Sequence, residues 1–102
     1  GRAEIKPALH TILDQFANGL SGQPKTEVRI VGYTDNTGSD AINMPLSVNR
    51  ASSTRDYLIS RGVSANRIVI DGRGDKDPIG DNSTEAGRAK NRRVEIFLAE
   101  KA

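Results

Sequence analysis

Apolar side chains near the start of the chain recur at the spacing of an α-helix. Over residues 4–20 they repeat every three or four positions, which predicts an amphipathic helix with one apolar stripe. The members of this stripe are Ile5, Leu9, Ile12, Leu13, Phe16 and Leu20. Pro7 suits the first turn, where its missing N–H costs nothing, and Gly19 and Gly22 indicate where the helix ends.

Three later segments have the pattern of β-strands. Residues 27–33 and residues 93–98 alternate polar and apolar side chains, and residues 67–70 form a short run rich in β-branched side chains. Between the strands predicted at residues 27–33 and 67–70, residues 45–61 are good helix formers and are followed by Gly62, which predicts a helix that ends there.

Two polar segments separate these elements. Residues 34–43 have the composition of a turn, with Thr, Asp, Asn, Gly and Ser. Residues 72–91 form a longer polar loop, which has room for a short helix. Asn82 or Ser83 would start that helix, and Glu85 is placed to return a capping hydrogen bond.

The order helix, strand, helix, strand, strand predicts the fold class. A strand, a helix and a strand in succession favour a right-handed crossover with the two strands parallel. We therefore expect an α+β fold, a two-layer sandwich with a mixed β-sheet and its helices on one face. The length predicts a single domain over residues 1–102. Because the chain begins almost inside its first helix, we expect a further strand on its N-terminal side.

Composition narrows the function classes. With no Cys, the chain has neither a disulfide nor a Cys-based metal site. The net charge of +2 comes from basic residues interspersed with acidic ones, so it gives only a modest field for nucleic acid. The sequence has no apolar run long enough for a membrane span. It also has no signal-peptide pattern at its start, so any such peptide is expected outside these 102 residues.

The most informative chemistry lies in residues 33–51. Asp35 follows the carboxyl end of a predicted strand, where ligands gather in open α/β sheets. Gly38 permits a tight turn, and Asn43 lies near a helix N-terminus, which favours an anion. Arg50 falls on the inward side of the second helix, where a guanidinium needs a carboxylate. Either Asp35 or a ligand supplies that carboxylate, or the side chain of Arg50 extends out to solvent.

Two groups of motifs, in this order and separation, carry a family resemblance. They are residues 32–38, Asn43, residues 46–51, 57–58 and 62–63, and the late stretch 87–96. Together they resemble the OmpA C-terminal-like domain, the peptidoglycan-binding module of OmpA, MotB and Pal proteins. The resemblance implies an OmpA-like βαβαβ core. Its N-terminal strand would either precede residue 1 in a longer chain or come from elsewhere.

The resemblance also implies a ligand and the residues that hold it. The ligand is peptidoglycan, held without a covalent bond through the free ammonium and carboxylate of meso-diaminopimelate in a stem peptide. Asp35 matches the family position that accepts from the ammonium, and Arg50 the one that binds the carboxylate. Asn43 matches a position that hydrogen-bonds the ligand, and Leu46 matches one in the pocket wall.

Two further positions have alternative interpretations. Thr34 either contacts the ligand or only caps the turn, and Arg93 either contacts the ligand or pairs with a surface acid. The resemblance implies a periplasmic location in a Gram-negative bacterium, associated with the outer membrane and the cell wall. The parent protein, a lipoprotein for example, would be anchored to a membrane outside this sequence.

Catalysis, metal binding and nucleic-acid binding have less support in the sequence. His10 has no second His or Cys beside it, so a catalytic set based on it is not expected. The residues after Asp35 lack the Gly and Glu of a calcium-binding loop, so we expect no metal site there. We also expect that the chain has no cofactor and no enzymatic activity. The alternative function is a small α/β nucleic-acid-binding module, for which the strands offer only Tyr33 and Phe97 as stacking aromatics.

Overall fold

The computed structural model describes residues 7–22 and 25–100. The helices are α1 (Pro7–Ser21), α2 (Asp40–Ser60) and α3 (Glu85–Asn91), the strands are β1 (Thr26–Gly32), β2 (Ile68–Gly72) and β3 (Val94–Glu100), and a 3-10 turn spans Ala65–Arg67. The predicted order of elements is therefore confirmed, with α3 as the short helix of the long polar loop. The first turn predicted for residues 4–6 and the loop residues 23–24 lie outside the described residues.

The three strands form a mixed sheet in the order β2-β1-β3. β1 is parallel to β2 and antiparallel to β3, and Ile30 of β1 lies opposite both Ile70 and Ile96. The parallel pairing predicted from the strand–helix–strand order is confirmed. β1 lies in the centre of the sheet, so both of its edges are hydrogen-bonded to neighbouring strands.

The hydrophobic core lies between the sheet and helices α1 and α2. Val28 and Ile30 point into it from β1, whereas Arg29 between them is exposed, as the two-residue period of a strand requires. The buried core residues are Leu13, Ala17, Leu20, Val28, Ile30, Ala51, Leu58, Val63 and Ile68. Leu13 and Leu20 of the stripe predicted for α1 are thus confirmed as core residues and Phe16 packs against the core, but the inclusion of Ile12 was wrong, because it is 58% exposed. The fold is the expected α+β class.

Helix α2 begins earlier than its sequence indicated. The predicted start at Pro45 was wrong, because α2 already begins at Asp40. The carbonyl oxygen of Ser39 accepts from the N–H groups of Ile42 and Asn43 at 3.0 and 2.8 Å, which closes the first turn before the proline is reached. The carboxylate of Asp40 in that turn also suits the positive end of the helix dipole. Polar residues typical of turns therefore concealed a helix N-terminus.

The other helix boundary predictions had mixed outcomes. Gly62 follows α2 with a φ of +101°, a left-handed conformation that ends the helix as predicted. The predicted cap of α3 was wrong, because the N-cap is Thr84 rather than Asn82 or Ser83. The Thr84 hydroxyl accepts from the N–H of Gly87 at 3.0 Å. The Glu85 side chain instead pairs with Arg92 and Arg88.

Close packing of α2 on β1 sets the position of the loop that follows β1. A Cβ atom at Gly32 would overlap the carbonyl oxygen of Ser47 and lie 3.2 Å from the Ala51 nitrogen. The backbone of α2 therefore crosses directly over the end of β1. This crossing places the chain around Asp35 next to the middle of α2, where Arg50 lies.

None of the helices in residues 7–22 and 25–100 combines the length and the apolar character that crossing a membrane would need.

Candidate functional site

The loop after β1 is held to both neighbouring strand ends. The N–H of Tyr33 donates to the carbonyl of Arg93 at 2.9 Å, and the N–H of Thr34 donates to the carbonyl of Gly74 at 2.7 Å. These two bonds fix the backbone immediately before Asp35. The side chain of Asp35 therefore extends from a backbone that hydrogen bonds to the neighbouring strand ends hold in place.

Asp35 is buried but charged. Its Oδ1 accepts from the N–H of Thr37 at 2.9 Å, and its Oδ2 accepts from Nη1 of Arg92 at 2.7 Å. Burial of the carboxyl group opposes ionisation, but the hydrogen bonds from Thr37 and Arg92 outweigh it. They lower the pKa of Asp35 from 3.8 to about 2. The side chain is 12% exposed, so a small part of this fixed negative charge reaches solvent.

Arg50 lies on the inner side of α2, as its position in the sequence predicted, and is 8% exposed. Its Nη1 donates to the carbonyl of Tyr33 at 2.6 Å. The carboxylate of Asp35 forms an ion pair with Nη1 of Arg92 at 2.7 Å, and its negative charge also acts on the guanidinium of Arg50. Burial and the charge of Arg92 lower the pKa of Arg50, while Asp35 opposes them, so these three groups influence one another.

Two other predicted site residues brace the loop. The Nδ2 of Asn43 donates to the carbonyl of Gly38 at 2.8 Å and holds the turn against the start of α2. The Oγ1 of Thr34 donates to the carbonyl of Asp35 at 2.8 Å. Both side chains are about 3% exposed. Their visible contacts shape the loop around Asp35, which is compatible with the turn-capping alternative for Thr34.

The remaining two predicted site residues are Leu46 and Arg93. Leu46 on α2 is half-buried. The guanidinium of Arg93 lies 3.7 Å from the centre of the Tyr33 ring, and its Nε donates to Glu95 at 2.7 Å. This pair corresponds to the alternative in which Arg93 binds an acid of its own chain. Its Nη1 is buried without a hydrogen-bond partner.

An open cleft of about 590 Å³ begins at Asp35 and extends toward α3. Its lining residues are Asp35, Asn36, Thr37, Asn82, Glu85, Arg88 and Arg92. Of the six residues predicted from the sequence, the cleft therefore includes Asp35. Thr34, Asn43, Leu46, Arg50 and Arg93 are not among its lining residues.

The far wall of the cleft contains Glu85, Arg88 and Arg92, for which no ligand contact was predicted. Arg92 contacts Asp35 and also Glu85, whose Oε1 lies 2.6 Å from Nη2 of Arg92. Arg88 pairs with the other oxygen of Glu85 at 3.3 Å. The spacing of Glu85, Arg88 and Arg92 places them on one face of a helical segment, a signal that could have indicated the cluster.

Asn91 fixes this wall in place. Its Oδ1 accepts from the N–H groups of Ile79 and Gly80 at 2.7 and 2.8 Å. Its Nδ2 donates to the carbonyl of Gly80 at 3.0 Å and to Oδ1 of Asn82 at 2.8 Å. One buried amide thus ties the long loop to the end of α3, directly before Arg92.

The low pKa of Asp35 predicts a pH-dependent stability. Because the folded state binds the proton more weakly than the unfolded chain, the stabilisation is present above about pH 4 and disappears as the pH falls through about 2. We expect the wild type to lose up to about 2 kcal/mol more than Asp35→Asn between these limits. Urea unfolding of both proteins from pH 6 to pH 2 measures the difference. Parallel stability curves would contradict it.

Comparisons with known proteins show which family and which fold the chain resembles. The sequence profile described as the OmpA family matches residues 1–92. The Peptidoglycan-binding protein ArfA of Mycobacterium tuberculosis is 51% identical over 96 residues, which are 94% of this chain and 29% of ArfA. The Probable lipoprotein YiaD of Escherichia coli is 48% identical over 97 residues, which are 95% of this chain and 44% of YiaD. This chain thus spans less than half the length of either relative.

The fold has solved counterparts as well. The crystal structure of the peptidoglycan-associated lipoprotein from Burkholderia pseudomallei superposes with a TM-score of 0.91 at 27% sequence identity. The superposition covers 95% of this chain and 82% of that one. The helices and the mixed sheet described above are therefore shared with a protein whose name associates it with the cell wall.

Proposed function

This chain belongs to the OmpA family, and on that premise we propose that it binds peptidoglycan without a covalent bond. The proposal rests first on kinship, because a relative named as a peptidoglycan-binding protein is 51% identical over 94% of the chain. It rests second on one structural observation. Asp35 is held ionised in the lining of a cleft. The charges of two guanidinium groups, those of Arg92 and Arg50, interact with its carboxylate.

The ligand that we propose is the free end of meso-diaminopimelate in a stem peptide. This end carries an ammonium and a carboxylate on one carbon, so it needs an anion and a cation a short distance apart. Asp35 accepts from the ammonium, and Arg50 forms a paired hydrogen bond with the carboxylate. A guanidinium that lies in a largely buried place keeps its charge and loses little freedom on binding.

The other predicted residues have supporting roles in this proposal. Asn43 donates to the ligand or holds the turn that faces it, and Leu46, which lies outside the lining of the cleft, contacts the ligand from α2. Thr34 fixes the backbone of Asp35 through its hydrogen bond to the Asp35 carbonyl, and Arg93 stacks on Tyr33, two positions before Asp35.

A binding assay with isolated cell-wall sacculi tests the proposal. We expect the wild type to sediment with sacculi that contain meso-diaminopimelate, and Asp35→Ala or Arg50→Ala to lower the affinity by about tenfold or more. Free meso-diaminopimelate should release the bound protein. Pimelate, which has the same chain and both carboxylates but no ammonium, should not.

Two residues on the outside of α2 provide matched controls. Arg55 and Asp56 form an exposed ion pair at 3.2 Å, so Arg55→Ala and Asp56→Ala remove the same charges away from the cleft. Both controls should bind like the wild type, and circular dichroism shows whether each variant is folded. Equal sedimentation of the wild type, Asp35→Ala and Arg50→Ala would defeat the proposal.

The proposed location is the cell envelope, where peptidoglycan lies. Relatives named as lipoproteins support this location and support a parent protein attached to a membrane through a segment outside this sequence. The relative from Mycobacterium tuberculosis shows that the family extends beyond the proteins of Escherichia and Burkholderia. In this role the domain is an anchor and not an enzyme, so incubation with sacculi should release no muropeptides.

The sheet provides little for the alternative nucleic-acid function. Of the two aromatic residues predicted for the strands, Tyr33 is buried beneath Arg93 and only Phe97 is exposed. Base stacking on a sheet generally uses a group of exposed aromatics.

A further inference from the structure

The place that the proposed function assigns to the ligand's ammonium is already occupied by a cation of the protein itself. Nη1 of Arg92 lies 2.7 Å from Oδ2 of Asp35. The other carboxylate oxygen accepts from the N–H of Thr37. A ligand ammonium that takes the outward lone pairs of Asp35 therefore meets the guanidinium of Arg92, and two cations at one carboxylate repel each other.

Arg92 has a second acceptor within reach. Its Nη2 lies 2.6 Å from Oε1 of Glu85, so one guanidinium bridges two carboxylates. Glu85 is 67% exposed, and Arg92 is 28% exposed, so both side chains border solvent. A guanidinium can bind a carboxylate through two parallel hydrogen bonds, which would allow Glu85 to hold Arg92 by itself.

We propose that Arg92 is a resident counter-ion of Asp35, which the ligand ammonium displaces, and that Glu85 receives the displaced guanidinium. This inference rests on the proposed function and adds two residues to it. Arg92 keeps Asp35 ionised and oriented in the free protein, and it competes with the ligand for the same oxygen. Glu85 reduces the cost of that displacement. Together they set the affinity and restrict the site to ligands whose cation binds Asp35 better than Arg92 does.

Substitutions of the two residues should change the affinity in opposite directions. We expect Arg92→Gln to bind a soluble muropeptide containing meso-diaminopimelate about three- to tenfold more tightly, because the ammonium no longer has a competitor. Glu85→Gln should bind it about three- to tenfold more weakly, because Arg92 then has only Asp35 as an acceptor. Isothermal titration calorimetry at one fixed ionic strength measures both.

The double variant shows whether Glu85 acts through Arg92. If it does, Glu85→Gln should have no further effect once Arg92→Gln is present. Arg55→Gln is the matched control, since Arg55 carries the same charge, pairs with Asp56 at 3.2 Å and does not line the cleft. Its affinity should stay within about twofold of the wild type, which excludes a general effect of charge on the ammonium.

A second readout separates displacement from a purely structural role. NMR titration of the Asp35 carboxyl should show a higher pKa in Arg92→Gln than in the wild type, and a muropeptide should restore the low pKa. Weaker binding by Arg92→Gln, or no change in Glu85→Gln, would overturn this inference while Asp35→Ala still tests the proposed function. If the wild type does not bind the muropeptide at all, both proposals fail together.

Discussion

Replacing Gly32 with alanine is expected to lower the free energy of unfolding by about 3 kcal/mol or more. Gly32 ends β1 where α2 crosses it, and an added Cβ would overlap the carbonyl oxygen of Ser47 and lie 3.0 Å from its carbonyl carbon. The opposing atoms belong to a helix backbone, so no side-chain rotation relieves the overlap. Either α2 moves away from the sheet or the end of β1 does, and both movements separate core residues.

Urea unfolding monitored by circular dichroism measures this effect, and Gly19→Ala is its control. Gly19 lies within α1 and has no atom within 4 Å of an added Cβ. Alanine is the better helix former there, so Gly19→Ala should stabilise the protein by up to about 1 kcal/mol. A Gly32→Ala variant as stable as the wild type would mean that α2 and β1 are not packed this closely in solution.

Gly32→Ala should also weaken ligand binding, because Asp35 follows β1 by three positions and Arg50 lies on the helix that crosses it. A shift of α2 changes the separation of the two charges on which the proposed grip depends. Binding measured well below the melting temperature distinguishes this displacement from simple unfolding.

The second large effect is expected at Asn91, for which Asn91→Ala should cost about 2–3 kcal/mol. The amide is 1% exposed and makes four hydrogen bonds, two of them as acceptor from the N–H groups of Ile79 and Gly80. Alanine removes all four and leaves partly buried backbone groups without partners. The long loop before α3 should loosen, and hydrogen exchange at Ile79 and Gly80 should accelerate.

Asn49→Ala is the control for this substitution. Asn49 is an exposed residue of α2, so its replacement should change the stability by less than about 0.5 kcal/mol. If Asn91→Ala unfolds at the same urea concentration as Asn49→Ala, the buried amide does not organise the loop. Equal protection of the Ile79 amide in both variants would lead to the same conclusion.

The elements that were predicted correctly are those that local physics decides. The inward positions of Leu13 and Leu20 in α1 and the alternation of β1 depend on side-chain periodicity alone. The left-handed residue at Gly62 depends on the absence of a Cβ. The predicted start of α2 was wrong because Asp40 and Asn43 suit a turn and a helix N-terminus equally well. The hydrogen bonds that the carbonyl of Ser39 accepts from Ile42 and Asn43 decide in favour of the helix.

The amino-acid sequence by itself determined the fold class, the order of the elements and the inward position of Arg50. These follow from periodicity, chain connectivity and the cost of burying a charge. Only the tertiary structure decided that the partner of Asp35 is Arg92. The two residues are 57 positions apart, and no local rule reveals which of several arginines reaches that carboxylate. Their contact depends on where the sheet and the packed loop place the end of α3.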